Sequence, residues 1–461
     1  MATTMTELHN RIHALMPQAR SDLAALVACQ SVADPQQYPE SEPLRAAQLV
    51  IDDFTAAGMR DTRLEQMPDG HPAVFGHIPA PDGAPTVLFY GHYDVEPPLD
   101  PTGTAWESPV WQLTERDGRW YGRGAADCKG NLVVHLTALR ALRALGVNPP
   151  VGIKLIVEGA EEQYARGLED FIPAHPDLLR ADTIIVADVG NSAVGIPTLT
   201  TTLRGIANVT VTVSTLENPL HSGTFGGPAP DALQALIRML ATLRDARGNT
   251  TIQGLDAEAT WPGPGYPAGQ FRANTHMLPG TDLLGSETVA DMLWSRPAVT
   301  VLGIDCPPVV GSTPSIPARA RALVNLRVPP GMDPQHAQNA LIAHLHAVTP
   351  WHARVGIERV ALGPPFTART DGPAYAAMSH ALEQAYGRPT TTGGQGGSIP
   401  LVHVLQQTYP DAEIMLTGVE DPSCLAHAPN ESVDPAEIEH MALAEALFLA
   451  NYPASAPQPA D

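Results

Sequence analysis

"PTVLFYGHYDV", Pro85–Val95, decides how the rest of the chain is read. Its apolar run is short and rich in β-formers, as a buried strand is. It ends in a histidine and an aspartate two apart, His92 and Asp94. A polar turn leaving a sheet would explain the pair. So would a metal ligand with a carboxylate behind it. The pattern recurs: "IKLIVEGAEE" (Ile153–Glu162) and "TIIVADVG" (Thr183–Gly190) are also apolar strands ending in acids. Helical spacing separates them, in "GNLVVHLTALRALRAL" (Gly130–Leu145) and "LEDFIPAHPDLL" (Leu168–Leu179), and Thr6–Val27 and Pro43–Met59 precede them as amphipathic helices. Helices alternating with buried strands imply an α/β domain with a largely parallel sheet. Ligands of such sheets bind beyond the carboxyl ends of the strands.

After Thr202 the character changes. "LRGIANVTVTVST" (Leu203–Thr215) alternates as a half-exposed strand does, and three more strands and two helices follow before Pro365. Helix and buried strand then resume in "GPAYAAMSHALEQAYG" and "AEIMLTGVED". The expectation is a discontinuous catalytic domain, residues 1–203 and 366–461, interrupted by a compact α+β domain over 204–365. The tail "PASAPQPAD" reads as frayed.

The chain has 461 residues, more than one core usually serves, and its 44% hydrophobic, 16% charged composition is globular. A net charge of −22 argues against nucleic acid and anionic membranes as partners. The four cysteines, Cys29, Cys128, Cys306 and Cys424, form no C-x-x-C pair, which excludes a disulfide framework or a structural zinc knuckle. No signal-peptide core or run of about 18 apolar residues is present, so a soluble cytoplasmic protein is expected.

Asp127 sits in "YGRGAADCKGN" (Tyr121–Asn131), a glycine-flanked loop opening a helix, where an N-cap carboxylate is the plain alternative. Glu161 and Glu162 are adjacent at a strand end, where a solvated acidic turn is the alternative. Asp188 ends a buried strand, where an acid is costly unless paired or metal-bound. His427 lies far along the chain, in "CLAHAPNES". His92, Asp127, Glu162, Asp188 and His427 together make a mixed N/O donor set suited to zinc, with manganese or cobalt as alternatives. Two such ions about 3.5–4 Å apart share a bridging carboxylate. Asp127, in the most constrained loop, is the candidate bridge. Glu161 is placed as general base, and Asp94 as the group that aims His92.

Six motifs occur in order: "GHYDVEP", "GRGAADCKG", "EGAEE", "LHSGTFGG", "GGSIP" and "AHAPNES". With them the chain resembles the carnosine dipeptidase, glutamate carboxypeptidase and aminoacylase family of di-zinc metallopeptidases, from about Thr6 to Tyr452. The resemblance implies a mostly parallel-sheet zinc-exopeptidase domain with an inserted ferredoxin-like sandwich acting as lid and dimerisation domain. It implies that His92 and Asp188 each bind one metal beside the bridging Asp127, and that Glu162 and His427 complete the two sites. The Asp127–Cys128 peptide bond would be cis. His221 would reach the scissile carbonyl of the partner subunit in a homodimer. Arg327 would clamp the substrate's carboxylate, and Gly396, Gly397 and Ser398 would contact the substrate.

Asp188 and "GIPTLTTTLRG" (Gly195–Gly205) resemble the dipeptidase branch, where relatives outside it tend to show glutamate at the first position. Hydrolysis of dipeptides or short peptides is therefore expected, with release of an acyl group from an N-acyl amino acid as the alternative. Cys128 replaces an aspartate common in relatives, a variable neighbour that leaves Asp127 as ligand and sets an oxidisable thiol beside the metals. Two further departures soften specificity: "GGQGGSIP" lacks charged residues before its second glycine pair, and "NPLHSG" lacks an acid before Leu220. A catalytically dead binding protein would usually lack a ligand or the base, and none is missing. A cysteine hydrolase centred on Cys128 has no sequence-evident histidine partner.

Overall fold

The computed structural model describes residues 5–163, 165–397 and 399–455. Ser398, and the tail beyond Ser455 expected to fray, lie outside the described residues. The chain divides into two compact units. One comprises Met1–Thr201, Ala368–Gly393 and Leu401–Asp461; the other comprises Thr202–Thr367 and Gly394–Pro400. The segment 394–400, read from sequence with the returning catalytic part, thus groups with the second unit.

The first unit is built on a mixed sheet. Its order runs Arg60–Glu65, Ala73–Ile78, Gly152–Glu158, Thr86–His92, Thr183–Ala187, Glu413–Thr417, Thr198–Leu203. The four strands from Gly152–Glu158 to Glu413–Thr417 are mutually parallel, and their flanking neighbours run antiparallel. The central strands read as unbroken apolar runs because both faces are covered. Val87 and Phe89 enter the core made with helices Met5–Val27, Lys129–Ala144, Pro373–Tyr386 and Pro435–Ser455. Leu88 and Tyr90, equally buried, alternate to the opposite face. Each such side chain contributes about 1.5–3 kcal/mol on burial.

The helix Lys129–Ala144 begins directly at the loop carrying Asp127. Lys129 is fully buried, and its Nζ donates to Leu26 O at 2.9 Å and Cys29 O at 3.0 Å. Those carbonyls belong to the end of the first helix and its exit, where intrahelical donors run out. Burial lowers Lys129 to about 8. The Asp127–Cys128 peptide bond is cis.

In the second unit an antiparallel sheet runs in the order Ala298–Asp305, Arg319–Val328, Gly205–Ser214, Arg354–Gly363. Helices Ala232–Ala241 and Pro334–Ala347 pack on it through Leu236, Met239, Leu341 and Leu345. Strict alternation of buried and half-buried residues along Gly205–Ser214 is the signature of one covered face. The β-α-β-β-α-β order gives the ferredoxin-like sandwich.

Gly190 is where two strand exits of the first unit meet. It bridges to Glu420, and a Cβ there would lie 1.8 Å from Glu420 O. The variant Gly190→Ala must push apart the exits carrying Asp188 and Glu420. Overpacking of this kind costs about 1–3 kcal/mol, read as a lowered urea midpoint; an unchanged midpoint would show the contact to be unimportant.

Candidate metal centre

Glu431 organises the loop around Asp127. Its carboxylate accepts from Gly124 N at 2.9 Å, Ala126 N at 3.0 Å, Asp127 N at 3.1 Å and the Arg123 guanidinium at 2.8 Å. The backbone of Glu431 also accepts from Gly122 N at 3.0 Å. Burial pushes the Glu431 carboxyl up, while Arg123 and the backbone N–H groups pull it back. Gly124 adopts φ +81°, and a Cβ there would meet Val95 at 2.7 Å, so only glycine suits the turn. Cys128 donates its thiol to Ala187 O at 2.9 Å, tying the loop to the strand end before Asp188. The thiol is buried and pushed well up by that burial; it acts as a donor, not as a nucleophile.

With the loop fixed, Asp127 faces two imidazoles with different oxygens. Its Oδ1 lies 3.0 Å from His92 Nε2, and its Oδ2 lies 2.9 Å from His427 Nε2. Asp188 Oδ1 stands on the first side, 3.1 Å from His92 Nε2, and Glu162 Oε2 on the second, 3.0 Å from His427 Nε2. Five residues from distant parts of the chain thus divide into two triads sharing one carboxylate. His427 itself sits at φ +61° in a loop where Leu425 and Asn430 are also left-handed, a conformation uncommon outside glycine and concentrated at functional sites.

Asp94 does more than the sequence suggested. Its Oδ1 is 3.3 Å from His92 Nδ1, and its two oxygens accept from Glu161 N and Glu162 N, each at 3.1 Å. One buried carboxylate therefore sets both an imidazole and the acidic turn. The adjacent strand end is sealed by Tyr90, whose hydroxyl donates to Glu158 at 3.0 Å.

The electrostatics are those of a cluster short of positive charge. Burial raises Glu162 to about 8, helped by Asp127. Burial and Asp188 raise Glu161 well above the ordinary carboxylate range, and burial also raises Asp188. Burial opposes charge on Asp127 as well, but its hydrogen bonds with His427 and His92 outweigh it and hold that carboxyl low. Hydrogen bonds with Asp127 and Glu162 raise His427 to about 12. Protons thus crowd onto the imidazoles and carboxyls, where a divalent cation would replace them. Donor groups His92–Asp127–Glu162 and His92–Cys128–Asp188 each fall within 4.8 Å, as do Glu96–Glu162–His427 and Asp127–Asp188–Glu420. The donor set fits a pair of transition-metal ions. Glu161 belongs to none of these groups among the described residues.

Four of these groups escaped the sequence reading. Glu420 and Glu96 stand beside the triads, and Glu431 and Arg123 brace the loop. Glu420 was findable, since it follows the apolar strand Glu413–Thr417 as Asp188 follows Thr183–Ala187. The remaining expected residues lie in the second unit. His221 is exposed at the end of strand Leu220–His221, and its Nδ1 accepts from Thr224 N at 3.2 Å. Arg327 is half-buried on Arg319–Val328, and Gly396 and Gly397 follow strand Thr391–Gln395.

A cysteinylglycine-S-conjugate dipeptidase of Corynebacterium striatum is 44% identical over 91% of this chain and 92% of its own. A Beta-Ala-His dipeptidase of Rattus norvegicus is 28% identical over 87% of this chain and 85% of its own. In structure, the di-peptidase Dug1p of Saccharomyces cerevisiae superposes with a TM-score of 0.84 at 22% identity, covering 100% of both chains. Residues 88–451, which carry both triads, match peptidase family M20/M25/M40, and the chain belongs to that family.

Proposed function

We propose that the protein is a metal-dependent dipeptidase that hydrolyses cysteinylglycine-like dipeptides, S-substituted forms included. The observation that carries this reading is the sharing of Asp127 between two triads, with Glu161 beside them and in neither. The relative at 44% identity supports the substrate class. Acyl-amino-acid release has no comparable support among the relatives.

His92 and Asp188 would hold one divalent ion, Glu162 and His427 a second, and Asp127 would bridge them; zinc suits the imidazole–carboxylate set best. The ions supply Lewis acidity and lower the pKa of an attacking water. Glu161 accepts that water's proton on its carboxylate and returns it to the departing amine. Asp94 holds His92 and the Glu161–Glu162 turn in place. The Thr224 N–H occupies His221 Nδ1, so a neutral His221 carries its proton on Nε2, the form that donates to a developing oxyanion. We assign that donation to the partner subunit of a homodimer formed through the second unit. Arg327, Gly396, Gly397 and Ser398 would position the substrate. No helix among the described residues is long and apolar enough to cross a membrane, and the scattered cysteines suit a reducing cytoplasm.

Chelator-stripped protein should lose cleavage of cysteinylglycine and regain it with zinc, manganese or cobalt, while N-acetyl amino acids stay intact throughout. Cleavage of the acetylated compounds alone would move the enzyme to deacylation. For the partner-supplied imidazole, His221→Ala should lower kcat about 10²–10³-fold. Refolding it together with a chain inactivated at Glu161 should restore roughly a quarter of wild-type activity, because half the dimers are mixed and one site in each is intact. No restoration would place His221 in its own subunit's mechanism or outside it.

A further inference from the structure

Strand Glu413–Thr417 pairs in parallel with Thr183–Ala187, so its exit runs beside the one carrying Asp188. Glu420 stands on that exit with its backbone clamped. It bridges to Gly190, and its carbonyl accepts from Asn191 N at 2.8 Å. Any residue could make those two contacts. The Glu420 carboxylate, by contrast, makes no hydrogen bond or ion pair among the described residues. Nearby acids are used differently. Asp421 pairs with Arg119 at 2.7 Å and accepts from Ser423 N at 2.7 Å, and Glu431 braces the Asp127 loop.

The free carboxylate stands among metal donors. One oxygen each from Glu420, Asp127 and Asp188 lie within 4.8 Å of one another. Donors bound to one ion at about 2.0–2.2 Å are at most about 4.4 Å apart. Small side-chain shifts therefore bring all three oxygens onto one cation. Burial, and then Asp127 and Asp188, push the Glu420 carboxyl well above the ordinary carboxylate range. Three carboxylates this close oppose one another unless a cation joins them. Asp188 and Asp127 already face His92 Nε2 at 3.1 Å and 3.0 Å. The cation that Glu420 can reach is thus the one assigned to His92 and Asp188.

We propose that Glu420 is a further ligand of that ion, a fourth protein donor beside His92, Asp127 and Asp188. This rests on the two-ion reading. Three protein donors and a water make the four-coordinate arrangement usual for catalytic zinc. A fourth protein oxygen raises the coordination number and makes the site richer in oxygen, which moves its preference from zinc toward manganese.

The test titrates chelator-stripped wild type, Glu420→Gln and Glu420→Asp with manganese, read by calorimetry and by loss of the free-manganese EPR signal. Wild type should bind two ions per chain. In Glu420→Gln one of them should bind at least about tenfold more weakly while the other is unchanged. Glu420→Asp keeps the charge but loses the reach, so it should weaken the same ion. Cobalt adds a direct readout: with one donor fewer, coordination falls toward four, and the visible d–d absorption of the bound ion should intensify. Equal weakening of both ions in Glu420→Gln, with wild-type binding in Glu420→Asp, would reduce Glu420 to a distant charge and overturn the proposal. Wild-type affinities in both variants, or an unchanged cobalt spectrum, would overturn it as well. Wild type that takes up no ion fails the two-ion reading and this proposal with it; two ions in wild type and in both variants with equal affinity fail this proposal alone. Should Glu420→Gln not fold, Glu420→Asp decides: one weakened ion supports the ligand, and none overturns it.

Discussion

The buried carboxylate of Glu431 is the contact on which the centre depends. Three backbone donors of one loop, Gly124, Ala126 and Asp127, and a guanidinium converge on its two oxygens. A loop between glycines has many conformations, and these bonds select one. In that conformation Asp127 stands with one oxygen toward His92 and the other toward His427. Removing the carboxylate would leave buried N–H groups and Arg123 unsatisfied, each costing about 1–3 kcal/mol or more. The constraint is also covalently economical. Glu431 is four residues from His427, so the segment that braces the Asp127 loop also brings an imidazole to that carboxylate.

The second constraint is charge. The sheet gathers strand exits at one end, and those exits carry Asp94, Glu161, Glu162, Asp188 and Glu420. Carboxylates this close cannot all ionise in a dry place without cations. The raised Glu161, Glu162, Asp188 and Glu420 carboxyls and the raised His92 and His427 imidazoles are one response seen from different residues. For His92 burial works the other way, and the surrounding anions and hydrogen bonds overcome it. The same anionic field that would harm a purely structural cluster favours divalent ions.

Much of this was legible in the sequence because strand exits are local signals. An apolar run followed by His92 or Asp188 announces both a strand and what stands at its end. The alternation in Gly205–Ser214 announced the second unit's one-sided sheet equally well. The antiparallel flanks Arg60–Glu65 and Ala73–Ile78 were not read, since the exposed, charged Arg60–Glu65 carries no apolar alternation. Glu431 was quoted within a motif but had no role, because its partners lie about three hundred residues earlier in the chain. Asp94 was read as an aimer of His92. Its hold on the Glu161–Glu162 turn needed the geometry.

The central claim is that the triads hold two metal ions while Glu161 moves the proton. Metal content and turnover of Glu161→Gln, measured on the same sample, test it most directly. The account predicts two ions per chain, as in wild type, with kcat on cysteinylglycine lower by about 10²–10⁴-fold. Loss of metal together with activity would make Glu161 a ligand, and near-normal turnover with both ions bound would remove it from the chemistry.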